Sequence, residues 1–206
     1  MRRLFTIAAT AMIPAIASAQ QAGSTVTPSA PSRPSLTSEQ QVAAATLALP
    51  AELRPAATVL GYDAAGKLGQ LRAGTNGMIC LAPNPAVPRF QSACYHESLE
   101  PFMARGRELR AGGVTGDKVD TVRFAEAKAG KLALPKGPAV LYQLFGAPGA
   151  YDVATNTVKD GSPLYVVYMP WATAESTGLQ AKPAQGTPWL MFPGTPKAHI
   201  MLVPRM

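Results

Sequence analysis

The chain has 206 residues, of which 47% are hydrophobic, and a formal net charge of +7. This length and apolar content predict one domain with a substantial core and exclude a disordered or fibrous protein. The basic residues are scattered along the sequence, so the charge favours solubility and gives no strong signal for nucleic-acid binding.

The first 19 residues have the pattern of a signal peptide. Arg2 and Arg3 precede an apolar run at 4–16, and the small residues 17–19 form a cleavage site. We therefore expect export to the periplasm or beyond, with the twin-arginine and the general secretory routes both open. No later stretch reaches 18 uninterrupted apolar residues, so no transmembrane segment is expected.

Residues 20–37 are rich in Ser, Thr, Pro, Ala and Gly, which predicts a disordered linker before a folded domain at 38–206. A helix is predicted over 38–49, with Ser38 and Gln41 in capping-box spacing. Period-two apolar patterns and turn residues then predict strands at 58–62, 67–72, 78–82 and 89–95.

A central helix is predicted from residue 99, with Ser98 as its N-cap and Arg107 and Arg110 in its last turns. Its core-facing stripe recurs at three- and four-residue steps: Leu99, Phe102, Met103, Gly106 and Leu109. A glycine within such a stripe costs about 1 kcal/mol relative to alanine. We therefore expect another segment of backbone to approach Gly106 closely.

The C-terminal half predicts one more helix and then strands only. The helix covers 115–130, and Asp160-Gly161 signals a hairpin. The strands are predicted at 139–145, 164–169, 188–192 and 199–203. The strand at 164–169 is apolar on both faces, which is typical of a central strand covered on both sides. These elements predict an α+β fold, with a mostly antiparallel sheet and two or three packed helices.

Cys80 and Cys94 are the two cysteines of the chain. An exported protein meets oxidants, so a disulfide between them is the leading prediction. The alternatives are a pair of buried thiols or half of a metal site, although the spacing lacks the Cys-x-x-Cys pattern of zinc sites.

Two runs of the sequence resemble those of an uncharacterised group of exported bacterial proteins. They are ACYHESLEPFMARGRELRA at 93–111 and ATAESTG at 172–178, followed by Pro188-Trp and by Ala-His-Ile-Met at 198–201. The resemblance covers roughly residue 71 to the C-terminus. It implies no activity, cofactor or catalytic residue.

The two histidines, His96 and His199, are candidates for chemistry. Together with Glu100, and with Glu97 or Glu175 nearby, they could hold zinc or another divalent metal as cofactor. The same His96, Glu100 and His199 could instead act as general acid and base in a hydrolase, with Arg105 or Arg107 binding an anion. The plain alternative is that each histidine only makes local hydrogen bonds.

Other polar and aromatic residues suggest weaker sites. Ser176 lacks the Gly-x-Ser-x-Gly context of a nucleophile elbow, so a polar loop or a cap is the better interpretation. Trp171 and Trp189, with Glu175 nearby, could bind a ligand in a groove that also contains Tyr95 and Tyr168, although core packing is favoured for the aromatic rings.

The sequence thus predicts an exported ligand-binding or interaction module with unknown partners. The alternative is a metal-dependent or acid/base hydrolase.

Overall fold

The computed structural model describes residues 36–183 and 186–204, so the predicted signal peptide and nearly all of the predicted linker lie outside the described residues. In the described part, the helices are α1 Ser38–Thr46, α2 Glu100–Ala111, α3 Lys118–Lys128 and the short α4 Ala174–Thr177. The strands are β1 Thr58–Tyr62, β2 Leu68–Arg72, β3 Met78–Leu81, β4 Arg89–His96, β5 Ala139–Pro148, β6 Tyr151–Asp152, β7 Thr157–Val158, β8 Ser162–Tyr168, β9 Trp189–Met191 and β10 His199–Leu202.

Eight of these strands form one sheet in the order β2-β1-β3-β4-β5-β8-β10-β9, while β6 and β7 form a separate small hairpin. The β1–β3 pair is parallel, and the other neighbouring pairs in the sheet are antiparallel. The predicted α+β fold with a mostly antiparallel sheet is therefore confirmed.

Helices cover both faces of the sheet, and the alternation of side chains along β4 shows how. Cys94 belongs to the core that packs under α1, together with Ala45 and Val59. The next residue, Tyr95, belongs to the core on the other face, together with Leu99 and Phe102 near the start of α2. Successive residues of a strand point to opposite faces, so β4 contributes to both cores.

The predicted disulfide is confirmed. Cys80 on β3 is paired in register with Cys94 on β4, and a disulfide joins them. Both cysteines are fully buried. The bond therefore fastens two interior strands of the sheet to each other beneath α1.

The N-cap of helix α1 lies one residue before the predicted cap. The Thr37 hydroxyl accepts a hydrogen bond from the Gln40 amide at 3.3 Å, and the Gln40 side chain accepts one from the Thr37 amide at 2.9 Å. The last residue of the predicted linker is thus the N-cap, and Ser38 is not. Gln41 is buried, and its side chain accepts a bond from the Tyr62 amide at 2.7 Å and donates one to the Tyr62 carbonyl at 2.9 Å.

The start of α2 also differs from the prediction. A single 3-10 turn at Glu97–Leu99 precedes it, and the ring of His96 accepts the Ser98 amide, so that His96 takes the capping role expected of Ser98. At Gly106 the close neighbour is a side chain and not a backbone, since a Cβ there would lie 2.9 Å from Nη1 of Arg123. The guanidinium takes the space that the missing side chain leaves.

Strand β8 is an interior strand, as predicted, but only one of its faces is well covered. Val166 and Tyr168 are buried on the α2 side, whereas Tyr165 on the other face is 37% exposed. In the described ranges, no helix has the length and apolar composition that crossing a bilayer requires.

Candidate ligand-binding groove

The strand register places the two histidines on opposite faces of the sheet. His199 is directly paired with Tyr168, whose side chain lies in the core on the α2 face. His96 follows Tyr95, a member of the same core, and therefore points to the other face. The predicted site of His96, Glu100 and His199, whether as metal ligands or as acid and base, is not assembled.

His96 is exposed and makes local contacts. Its Nδ1 lies 2.9 Å from the Ser98 hydroxyl and accepts the Ser98 amide at 3.2 Å. It lines an open cleft of about 760 Å³ whose walls are Ser98, the loop at 134–138, the start of β5 and Val167. Lys136 is the charged residue of that loop lining, so the cleft offers little recognition chemistry.

His199 is buried between two aromatic rings. Its ring centroid lies 5.0 Å from that of Tyr168 and 5.7 Å from that of Phe192. Nδ1 donates to the Lys197 carbonyl at 2.7 Å, which leaves Nε2 as an acceptor. Burial, the largest effect, lowers the pKa of His199, so the ring is neutral near pH 7.

Glu100 belongs to a compact hydrogen-bonded cluster on the α2 face. The Tyr95 hydroxyl donates to its Oε2 at 2.5 Å, and Arg107 Nη2 donates to its Oε1 at 2.6 Å. Arg107 Nη1 also donates to the Tyr95 hydroxyl at 2.8 Å. Burial, with the bond to Glu100, raises the pKa of Tyr95, so the phenol stays protonated and the cluster keeps one positive and one negative charge.

The structure does not bring the predicted Trp171, Glu175 and Trp189 together in one pocket. Trp189 lines a cleft of about 220 Å³ that Tyr165 also lines, and Trp171 and Glu175 are not among its walls. Glu175 is exposed and accepts a bond from the Thr173 hydroxyl at 3.3 Å. Ser176 completes the capping box of α4 with Thr173, in agreement with its interpretation as a cap.

Tyr95 and Tyr168 do share a site. They line a groove of about 470 Å³ on the face of the sheet that α2 and α3 partly cover. Its floor is made by apolar side chains of β5, β8 and β10, and its helical wall by α2 and α3. The floor includes Leu141, Leu164, Val166 and Met201, and the helical wall includes Met103, Arg107, Arg110 and Arg123. Met191, Phe192, Lys197 and His199 lie at the β10 end.

Positive charges outnumber negative ones around this groove. Arg107, Arg110, Arg123 and Lys197 line it. Arg107 pairs with Glu100, as above, and Asp120 is shared between Arg123 and Lys197. Among the residues that the structure describes, no carboxylate pairs with Arg110, whose Nη1 donates to the Gly106 carbonyl at 3.0 Å.

Asp120 forms ion pairs with both Arg123 and Lys197. Burial alone would raise the pKa of Asp120, but its bonds to Lys197 and Arg123 and the charges of those residues outweigh burial, so the pKa is lowered. Arg123 is 5% exposed, lies 3.9 Å above the Phe102 ring and donates to the Phe102 carbonyl at 3.1 Å. Its Nε is buried without a partner among the described residues.

Two further polar groups of the lining make no hydrogen bond to the described residues. They are the Tyr168 hydroxyl and Nε2 of His199. Both can therefore bond to a molecule in the groove. The groove thus combines an apolar floor, an excess of cations and unused hydrogen-bonding groups.

The sequence contains a signal for this groove that the helix prediction did not use. Met103, Arg107 and Arg110 recur at four- and three-residue steps, so they share one face of α2 beside the buried stripe. The prediction placed both arginines as favourable charges in the last turns of the helix, and it named Arg107 also as a possible anion-binding residue. The β10 end could not be found in this way, because it depends on which strands become neighbours.

Comparison of the chain with protein-family models, with curated proteins and with solved structures found no match.

Proposed function

We propose that this protein is a ligand-binding module that holds a small anionic molecule in the groove between the sheet and helices α2 and α3. The observation that carries the proposal is the charge of the lining: four cations line the groove over an apolar floor, and two carboxylates, Glu100 and Asp120, pair with three of them. Arginine side chains recognise carboxylates and phosphates through paired hydrogen bonds.

The groove is prepared for binding by its existing contacts. Arg107 is already oriented by Tyr95 and Glu100, so little side-chain freedom is lost when a ligand arrives. Arg110 supplies a charge that no described carboxylate neutralises. The groove has a volume of about 470 Å³, which lies in the range of roughly 300–1,000 Å³ that is usual for small-molecule sites.

The hydrolase alternative has no comparable support, because its two histidines lie on opposite faces of the sheet. We also propose that the protein works outside the cytoplasm. The Cys80–Cys94 disulfide supports this, since such bonds persist mainly in oxidising compartments.

Thermal unfolding with a panel of carboxylates, phosphates and sulfonates, each beside its neutral amide or alcohol, tests the proposal. A ligand at a hundred times its Kd adds about 2.7 kcal/mol to the stability. For a domain of this size that is a rise in Tm of roughly 5–10 °C. The anions should raise Tm, and the neutral counterparts should not.

Two variants locate the site. Arg110→Gln removes the unneutralised charge, and the loss of a charged hydrogen bond should weaken anion binding by about tenfold or more. Lys67→Gln is the matched control. Lys67 is exposed in the turn between β1 and β2, so this substitution removes the same charge outside the groove. Equal weakening by both variants, or anions that shift Tm no more than their neutral counterparts, would refute the proposal.

A further inference from the structure

The floor of the groove is long and apolar. Tyr95, Leu141, Val166 and Met201 are paired in register across β4, β5, β8 and β10. Three strand spacings separate the first from the last, which is about 14 Å. Leu164 lies beside this row, so the floor forms a strip wide enough for an extended chain.

The strip is the face of a sheet and not its edge. The backbone groups of β5 and β8 are already bonded to their neighbouring strands, so they are not free to pair with a peptide. A peptide lying here would leave its own amides without partners, which costs free energy. An alkyl chain has no hydrogen-bonding groups, so it can lie here without that free-energy cost.

Methionine makes this surface adaptable. Met103 on the helical wall, Met201 on the floor and Met191 at the β10 end all line the groove. The methionine side chain is unbranched and flexible, so it can follow the changing outline of a flexible ligand. The cation Arg107 stands at the β4 end, since it donates to the Tyr95 hydroxyl, and Arg110 lies three residues further along the same helix.

We infer that the ligand is a free single-chain amphiphile with one anionic head, whose head binds Arg110 and Arg107 and whose alkyl chain lies along the Leu141, Val166 and Met201 strip. This rests on the proposed function and adds the chemical class of the ligand. The polar side chains of Gln91 and Gln143 also line the groove, and Gln143 is paired in register with Leu164 at the side of the strip.

Calorimetric titration of the mature protein with butyrate, octanoate, decanoate and dodecanoate below their micellar concentrations tests the inference. Affinity should rise by up to about fourfold for each added methylene, the value for complete burial of that group. Decanol, which has the chain without the charge, should bind at least tenfold more weakly than decanoate. Arg110→Gln should weaken all the carboxylates by a similar factor.

A substitution in the floor of the groove distinguishes the contribution of the ligand's alkyl chain from that of its anionic head. Met201→Gln should reduce the gain per methylene while leaving butyrate unchanged, and Met103→Gln provides the same test from the helical wall if Met201→Gln does not fold. Lys67→Gln should match the wild type throughout.

The outcomes distinguish this inference from the proposed function. Anion binding with no dependence on chain length would overturn the amphiphile and leave the anion site standing. Decanol binding as tightly as decanoate would overturn the anionic head. Binding to anionic phospholipid vesicles, with none to the free fatty acids, would overturn a free ligand in favour of a membrane surface. No binding of any anion would overturn both proposals.

Discussion

The guanidinium of Arg123 on α3 lies directly over Gly106 on α2, so that a Cβ added to Gly106 would be 2.9 Å from Nη1 and 3.3 Å from Cζ of Arg123. Arg123 cannot easily move away, because it also bonds to Asp120 and to the Phe102 carbonyl and stacks on the Phe102 ring. Two helices are thus joined through a buried cation where an apolar contact would be usual.

Gly106→Ala should lower the free energy of unfolding by about 1 kcal/mol, even though alanine favours a helix by a similar amount. The added methyl group displaces Arg123 from contacts that cannot all be rebuilt. Gly112→Ala at the end of α2 is the control, since its nearest neighbour would be 3.5 Å away and it should be neutral or slightly stabilising. Urea unfolding measures both, and a more stable Gly106→Ala protein would contradict this account.

Removing the disulfide should cost roughly 3 kcal/mol in the chain-entropy model for a loop of this length, Cys80 and Cys94 being 14 positions apart. The double variant Cys80→Ala/Cys94→Ala is the suitable test, because serine would leave buried hydroxyl groups without partners. Unfolding with and without a reductant supplies the control, since the double variant should not respond to it. A wild-type protein whose unfolded, unreduced chain titrates free thiols would show that no disulfide forms.

The stability of the protein should fall as the pH drops below about 6.5, in part because of His199. Its pKa is lowered in the folded state, mainly by burial, so the unfolded chain takes up the proton first. The stability that neutral His199 contributes is therefore complete above the unfolded pKa and is lost as the pH falls toward the folded pKa. His199→Phe should show a shallower decline over this range, and an NMR titration of the His199 ring with a midpoint above 6.5 would reverse the sign.

Trp171 has a φ of 70°, a left-handed conformation that disfavours any residue with a Cβ. Its amide donates to the Thr195 carbonyl at 2.8 Å, which holds the backbone there. Trp171→Gly should therefore be more stable than Trp171→Ala, by about 1 kcal/mol. The same pair of substitutions at Glu108, an exposed position in the C-terminal half of α2, should give the opposite order. Equal stabilities at Trp171 would mean that the backbone relaxes once the indole is removed.

Local patterns in the sequence were enough to predict most elements of the fold. The strand at 58–62 and the buried stripe through Leu99 and Phe102 follow from periodicity, which reports the environment of each residue. The cap of α1 was displaced by one residue because Thr37 and Ser38 are both good N-caps that are followed three residues later by a glutamine. In the structure Thr37 pairs with Gln40, while Gln41 bonds to Tyr62.

The candidate site was less accessible to such patterns. His96 and His199 looked like partners because they are the two histidines of the chain, yet their faces depend on the pairing of four strands. In the sequence, Arg123 has the features of an ordinary exposed helix residue. Its burial results from the packing of α3 on α2, which the local pattern does not reveal. Long-range pairing therefore decides the site, whereas local spacing decides the elements.

The order of the strands across the sheet largely follows their order in the sequence. β1 with β2 and β3 with β4 are neighbours both in sequence and in space, and β8, β9 and β10 join the far side of β5. Short loops between contacting segments favour rapid folding, because little chain entropy is lost before the first contacts form. The cysteine-bearing hairpin can therefore close, and bring its two thiols together, before the strands beyond β5 have joined the sheet.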